Sequence, residues 1–224
     1  MNERLWEILL DSFPKLLTAC VRETLPLTAM SFALALVISV IVALIQYANI
    51  KVLRQICRFY IWVIRGTPLL VQLYLVYFGL PDIGVRFDKH VAAVLVFGFN
   101  EGAYMAETMR GALESVSRGQ VEAGYCVGLS YVQIMCHVVL PQAFRTAFPA
   151  LSKSLIAMLK GTSLAANIAV TEMFKQAQII SGRVYEYMGL YCEVALIYLA
   201  FCTVLTWLQH IMEKKLASYG GERK

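Results

Sequence analysis

Charge is scarce in this sequence. Asp, Glu, Lys and Arg make up 16% of its 224 residues, against 59% hydrophobic ones, and the mean hydropathy is +0.63. Water-soluble domains carry about a quarter charged residues, so the deficit excludes an ordinary soluble domain and points to a membrane class. The net charge of +5 comes with no interleaved basic and aromatic patch, which leaves no footprint for nucleic acid. Cys20, Cys57, Cys126, Cys136, Cys192 and Cys202 form no C-x-x-C pair and no zinc spacing, and read as reduced, small hydrophobes. The N-terminal MNERLWEILLDSF has three acids and no long apolar core, so it is not a secretory signal. No G-x-x-x-x-G-K-[ST], H-E-x-x-H or G-x-S-x-G occurs. Their absence speaks against ATP hydrolysis by the chain itself and against an intramembrane enzyme, although His137, His210 and several serines are present. No internal repeat is visible, which disfavours a self-sufficient channel or secondary carrier built from inverted halves.

What is present is a set of apolar runs. Leu25 to Ile45 is free of charge over 21 residues, and a helix of that length reaches about 31 Å, enough for the hydrocarbon core. Val194 to Met212 is a second clean run, with His210 near its end. Phe59 to Leu80 carries Arg65, Val91 to Met109 carries Glu101 and Glu107, and Ser154 to Glu172 carries Lys160. The expected fold is therefore all-α, with five transmembrane helices. Thirteen Lys and Arg fall on one set of connecting segments and seven on the other. The positive-inside rule then puts the N-terminus outside and the C-terminus in the cytoplasm. Ahead of the first span, Trp6, Leu9, Leu10, Phe13, Leu16, Leu17 and Cys20 recur at helical spacing. They predict an amphipathic helix on the outer face, which Pro14 can bend or restart.

The long segment between the third and fourth spans contains EAGYCVGLSYVQIMCHVVLPQA, Glu122 to Ala143. It is too polar to cross a bilayer and too regular for a linker. Val121, Tyr125 and Leu129 form one apolar stripe, and Glu122 is expected in a first turn, where a carboxylate suits the helix dipole. Gly128 is placed to end that helix in a left-handed conformation. Ser130 and Gln133 form a capping-box pattern for a second helix, along which Val132, Met135, Cys136 and Val139 share a face and which Pro141 is expected to break. Two short helices meeting at a glycine corner follow, either as a docking knob or as a loop packed on the bundle.

Glu122-Ala123-Gly124, then Gly128, then Leu140-Pro141 resembles the EAA loop of ABC importer permeases, with Gly124 where a second alanine is usual. RGTPLLVQL (from Arg65), GAYMAETMRGAL (from Gly102), GQVEAG (from Gly119), LPQAFR (from Leu140) and LKGTSL (from Leu159) resemble the polar amino-acid uptake subfamily, in its order. The resemblance implies a type I importer permease fold whose cytoplasmic loop docks on an ATPase. It divides the chain into an outer helix over 1–22, a permease domain over 23–212 with its coupling loop at about 114–145, and a tail over 213–224. It implies a bacterial inner or plasma membrane location and three partners besides lipid. These are a cytoplasmic ATPase dimer that binds the ATP and Mg, a second identical or related permease, and an extracytoplasmic amino-acid-binding protein. The chain itself needs no cofactor or metal. The run from Leu159 to Ile180 is most similar to permeases for cystine or related sulfur amino acids.

Charges within spans need a reason, since each costs at least a few kcal/mol unless paired or wet. Arg65 precedes Gly66-Thr67-Pro68, where a helix break is expected, and is expected to snorkel to the inner interface. Glu101, among Asn100, Gly102 and Tyr104, either grips a substrate ammonium or is a buried acid paired with Lys160 or protonated. Glu107 is expected to pair with Arg110, three residues on. In the subfamily Lys160 usually precedes an acid, but here it precedes Gly161. The hydroxyls of Thr162 and Ser163 either satisfy their own helix or, as favoured here, meet a ligand. Glu101, Tyr104, Lys160, Thr162 and Ser163 are thus the candidate path residues. Glu122, Ala123, Gly124, Gly128, Leu140 and Pro141 are the candidate coupling residues. Tyr185, Tyr187 and Tyr191, with Glu186 and Glu193, are interface anchors or a contact for the binding protein.

Overall fold

The computed structural model describes residues 3–48 and 50–218. They are helical with no strand among them: α1 (Glu3–Ala19), α2 (Leu25–Tyr47), α3 (Lys51–Gly66), α4 (Leu69–Tyr74), α5 (Lys89–Glu114), α6 (Arg118–Cys126), α7 (Tyr131–Ile134), α8 (Leu140–Gly161), α9 (Met173–Val184) and α10 (Tyr187–Ser218). Met1 and Asn2 of the expected outer helix, and residues 219–224 of the tail with Arg223 and Lys224, lie outside the described residues.

Three of the six prolines are passed in one recurring way. Wide π turns occupy Cys20–Thr24, Leu75–Gly79 and Met135–Val139, and each is followed by Leu-Pro: Leu25-Pro26, Leu80-Pro81 and Leu140-Pro141. In all three the leucine N–H bonds the carbonyl five residues back. A proline has no N–H and its ring collides with the carbonyl four residues before it. Widening the preceding turn moves that carbonyl aside, so the chain stays helical. This corrects two expectations. The outer helix does not stop before the first span, because α1 and α2 form one rod from Glu3 to Tyr47. Pro141 does not break the second elbow helix, because α7 runs through the π turn into α8.

The spans change accordingly. By length and apolar composition, 3–47 and 187–216 qualify as crossing helices among the described residues. The second expected span is bent by 104° between α3 and α4, at the predicted Thr67-Pro68 break. The fourth is no straight helix over Ser154–Glu172. Helix α8 begins at Leu140, tightens to 3-10 geometry over Thr162–Ile168, and is followed at 51° by α9. Helix α5, 26 residues long, is less apolar than α2 and α10, yet 13 of its residues are buried.

Helix α5 is the axis of the bundle, and small residues allow it to be. Gly98 and Gly102 lie four apart on one face and meet α2. A methyl at Gly98 would come within 2.6 Å of Leu34, and one at Gly102 within 3.0 Å of Ile38. This is the close backbone approach that small-xxx-small spacing permits in membranes, where apolar area alone does not drive helices together. Asp88 caps α5 by accepting from the His90 N–H at 2.8 Å, a bond that holds its carboxyl below the usual range. His90 also meets Glu23 at 2.9 Å.

Helix α1 packs on α9 and α10 instead of only lying on the surface. Leu16 and Cys20 are buried, and Ser12 bonds Glu193 at 2.5 Å. The expected stripe is split: Leu16 and Cys20 face in, while Trp6, Leu10 and Phe13 are exposed.

Candidate functional site

The elbow over α6 and α7 is assembled from local signals. Ser117 starts α6, so Glu122 lies mid-helix and exposed, not in the first turn as expected. At the far end Gly128 is left-handed at φ +80°. Its N–H bonds the Tyr125 carbonyl at 3.0 Å, and the Leu129 N–H bonds the Gly124 carbonyl at 3.0 Å. That pair of bonds is a complete Schellman cap. Two residues on, the capping box is formed: the Ser130 N–H donates to Gln133 Oε1 at 2.8 Å, and the Gln133 N–H to Ser130 Oγ at 3.4 Å.

Tertiary packing then decides which way the elbow faces. Gly124 is buried against Ile134, and a methyl there would come within 2.7 Å of Ile134 Cγ1. Glycine is therefore matched to a large partner. Gly124→Ala is expected to destabilise the elbow by about 1–3 kcal/mol through overpacking, despite alanine's better helix propensity. Adding Ile134→Ala should leave the double variant more stable than the two losses summed, as thermal unfolding in detergent would show. Additive losses would mean that the two residues do not constrain each other.

The expected stripes are re-sorted. Val121 and Leu129 pack inward, but Tyr125 is exposed; Met135 and Val139 are buried, but Val132 and Cys136 are exposed. The π turn shifts the helical phase, which a 3.6-residue reading cannot anticipate. Tyr125, Val127, Tyr131 and Val132 stand exposed, Val127 at 75%, on a polar elbow outside the expected spans. Clustered exposed hydrophobics of this kind mark an interaction surface. Ala123 is exposed beside them, Leu140 is half-buried, and Pro141 is exposed.

A second polar centre sits at the bend between α3 and α4. The Gln72 side-chain amide donates to the Ile64 carbonyl at 2.8 Å, the Thr67 carbonyl at 3.2 Å and the Thr67 hydroxyl at 2.7 Å. Its carbonyl oxygen accepts from Asn100 of α5 at 3.0 Å. Backbone groups opened by a break must find partners inside a bilayer, and Gln72 supplies them while tying the bend to α5. The sequence held a usable signal: a glutamine four residues after Pro68, one turn into the next helix.

The candidate path residues are distributed around this frame. Tyr104 is exposed, with the Arg65 guanidinium 5.0 Å above its ring. Arg65 is thus placed by a cation–π contact. Glu101 is half-buried with Ser154 of α8 as its hydrogen-bond partner. Among the described residues no ion pair joins Glu101 to Lys160; Lys160 is exposed and lies towards Cys202 of α10. Thr162 is fully buried and donates to the Leu159 carbonyl at 2.7 Å, and Ser163 donates to the Lys160 carbonyl at 2.8 Å. Both hydroxyls donate to their own helix, which leaves their oxygens as acceptors only. Glu107 and Arg110 do pair, at 3.1 Å, and Arg110 also holds Glu114 at 2.8 Å.

Glu172, unremarkable in the sequence, is fully buried. It caps α9 by accepting from the Phe174 and Lys175 N–H groups and from the Tyr198 hydroxyl. Tyr185 is left-handed and exposed, and Tyr187, Tyr191 and Phe174 stack in sequence.

Residues 35–218 match the family described as binding-protein-dependent transport system inner membrane component. The chain belongs to that family. It is 39% identical over 215 residues to the L-cystine transport system permease protein TcyB of Bacillus subtilis (strain 168), covering 96% of this chain and 92% of that one. It is also 39% identical to the probable amino-acid ABC transporter permease protein YckA of the same organism, covering 98% and 99%. Among solved structures, an amino acid ABC transporter crystallised with histidines superposes at TM-score 0.86 with 31% identity, over 96% of this chain and 100% of that one. The MetNI methionine transporter shares the fold at TM-score 0.73 and 18% identity. This permease is therefore a membrane-embedded subunit of an amino-acid ABC transporter, with a type I importer fold. It is not an enzyme; ATP hydrolysis resides in a partner ABC ATPase.

Proposed function

We propose that the elbow of this permease is the lever through which the ATPase drives transport, and that the substrate is a polar amino acid, with cystine first among them. The single observation that carries the coupling reading is the exposed apolar knob of Tyr125, Val127, Tyr131 and Val132. It is held rigid by a Schellman cap, a capping box and the Gly124–Ile134 contact. An apolar knob that faces water is stabilised by a partner's cleft. In this reading ATP binding draws two ATPases together, each pushes the elbow of its permease, and the helices tilt from outward to inward access. The N-terminus lies outside and the C-terminus inside. A second permease completes the path, and a separate binding protein delivers substrate to the outer face.

The test is co-purification. Tyr125→Glu/Val127→Glu should leave the permease in the membrane at its normal level but lose the ATPase. A complex that survives both charges would remove the elbow from the interface, and a purified permease that carries substrate without any ATPase would make it a self-sufficient channel or carrier.

The substrate reading is supported by the cystine permease among the relatives and by Glu101 of α5, beside Ser154 of α8, an acid that a substrate ammonium would neutralise. Glu101→Gln is expected to raise the KM for amino-acid uptake about tenfold or more, the scale of a charge-assisted hydrogen bond. Labelled cystine, glutamine and arginine, each supplied with its binding protein to reconstituted vesicles, would check this. An unchanged rate and affinity would make Glu101 structural.

A further inference from the structure

The start of α5 is tied across the bundle in two directions. Lys89 Nζ donates to the Ala169 carbonyl at 2.9 Å, just past the 3-10 segment Thr162–Ile168. His90 Nε2 lies 2.9 Å from Glu23, in the π turn that joins α1 to α2. Two features of the Lys89 tie are unfavourable taken alone. A lysine in the first turn of a helix opposes the macrodipole. Ala169 is left-handed at φ +60°, where a residue with a Cβ is strained. Ile168 and Val170, on either side of it, are fully buried in one cluster with Ala92 and Ala93 of α5. The Ala169 and Val170 N–H groups close the turn on the Ala166 and Ala165 carbonyls, each at 3.2 Å. Packing on α5 and the Lys89 bond therefore hold Ala169 in place. Strain imposed by the surroundings in this way is released when they part.

We propose that Lys89 and Ala169 form a strained latch that gates the substrate path at its outer end. The candidate path residues are divided between the two elements it joins. Glu101 and Tyr104 lie on α5, while Lys160 ends α8 and Ser163 opens the 3-10 segment. Holding the outer ends of those elements together closes the route between them. When the Lys89 bond lets go, Ala169 relaxes out of the left-handed region and the elements separate. The strain makes the closed state easier to leave, which suits a gate that must open in every cycle. This gating role rests on the lever reading of the elbow, which supplies the drive. Helices α1 and α2 are one rod, and its far end, at Leu44 and Tyr47, packs in the same cluster as Val121 and Leu129 of the elbow. A push on the elbow thus reaches Glu23 and, through His90, the latch, along a continuous set of contacts.

Hydrogen exchange of the Val170 amide, measured on the full-length permease alone, reads the latch directly. Lys89→Met should speed it by about threefold to tenfold, the scale of one hydrogen bond from a charged donor. Lys89→Arg, which keeps a donor, should stay near the wild-type rate. Ala169→Gly should slow exchange by about threefold, because relief of the left-handed strain outweighs the freedom glycine gains. Two functional readouts separate a gate from a structural contact. Vesicles that hold the permease and are loaded with labelled cystine, glutamine or arginine should leak about threefold faster or more with Lys89→Met, since the variant populates the open state. In the complete transporter, Ala169→Gly should lower uptake by about the same factor. Exchange that ignores both variants would overturn the proposal. So would altered exchange accompanied by wild-type leak and uptake, which makes the tie structural. Exchange and leak are both read without the ATPase, so a failure of the lever reading is told apart from a failure of the latch.

Discussion

Gly128→Trp is expected to reduce uptake to background while the protein still reaches the membrane at its normal level. Gly128 is left-handed, and a built methyl meets nothing within 4 Å. The tryptophan therefore has room, and the loss does not arise from a clash inside the permease. Two effects combine. A non-glycine residue in this conformation costs about 1–2 kcal/mol, which loosens the Schellman cap that orients α6 against α7. The indole would also add bulk at the corner next to Val127, on the surface proposed above to meet the ATPase. Gly128→Asn separates the two, since asparagine tolerates the left-handed region and adds little bulk; it should keep a large share of uptake. Near-normal uptake by the tryptophan variant would end the lever reading of the elbow.

Gln72→Leu should be the most damaging single change to stability. The side chain meets the carbonyls of Ile64 and Thr67, the Thr67 hydroxyl and the Asn100 amide, all at the bend between α3 and α4. Leucine fills a similar volume but leaves those groups unpaired. At about 1–3 kcal/mol for each orphaned polar group, the loss should exceed about 3 kcal/mol, with no water in the bilayer to offset it. Thermal unfolding in detergent would record it. Asn100→Leu alone breaks one bond and should cost less. The double variant should recover part of the loss, because Asn100 no longer presents an unmatched donor. Wild-type stability in Gln72→Leu would mean that the bend is held by packing alone.

The two centres differ in how much of them could be read in advance. The elbow's caps were legible because each depends on residues within five positions: Gly128 with Gly124 and Tyr125, and Ser130 with Gln133. The break at Thr67-Pro68 was legible for the same reason, since proline acts on its own turn. Passage through Pro26 and Pro141 was not, because a π turn and a helix end are both solutions to the same proline. Only packing on either side selects between them, although the repeated Leu-Pro is a visible mark. For Thr162 and Ser163 the sequence favours a ligand, but a hydroxyl at helical spacing reaches its own backbone equally well, and where the helix tightens after Gly161 both donate to it.

Composition and local chemistry alone determined that this chain is an all-helical membrane protein with a capped elbow between spans, because hydropathy and capping act over a few neighbouring residues. The tertiary structure alone decided which side chains the elbow exposes, that Gln72 closes the bend against Asn100, and that Gly124 must be small because Ile134 is large. Those outcomes depend on contacts between distant segments, and no periodicity within one segment encodes what another will place beside it.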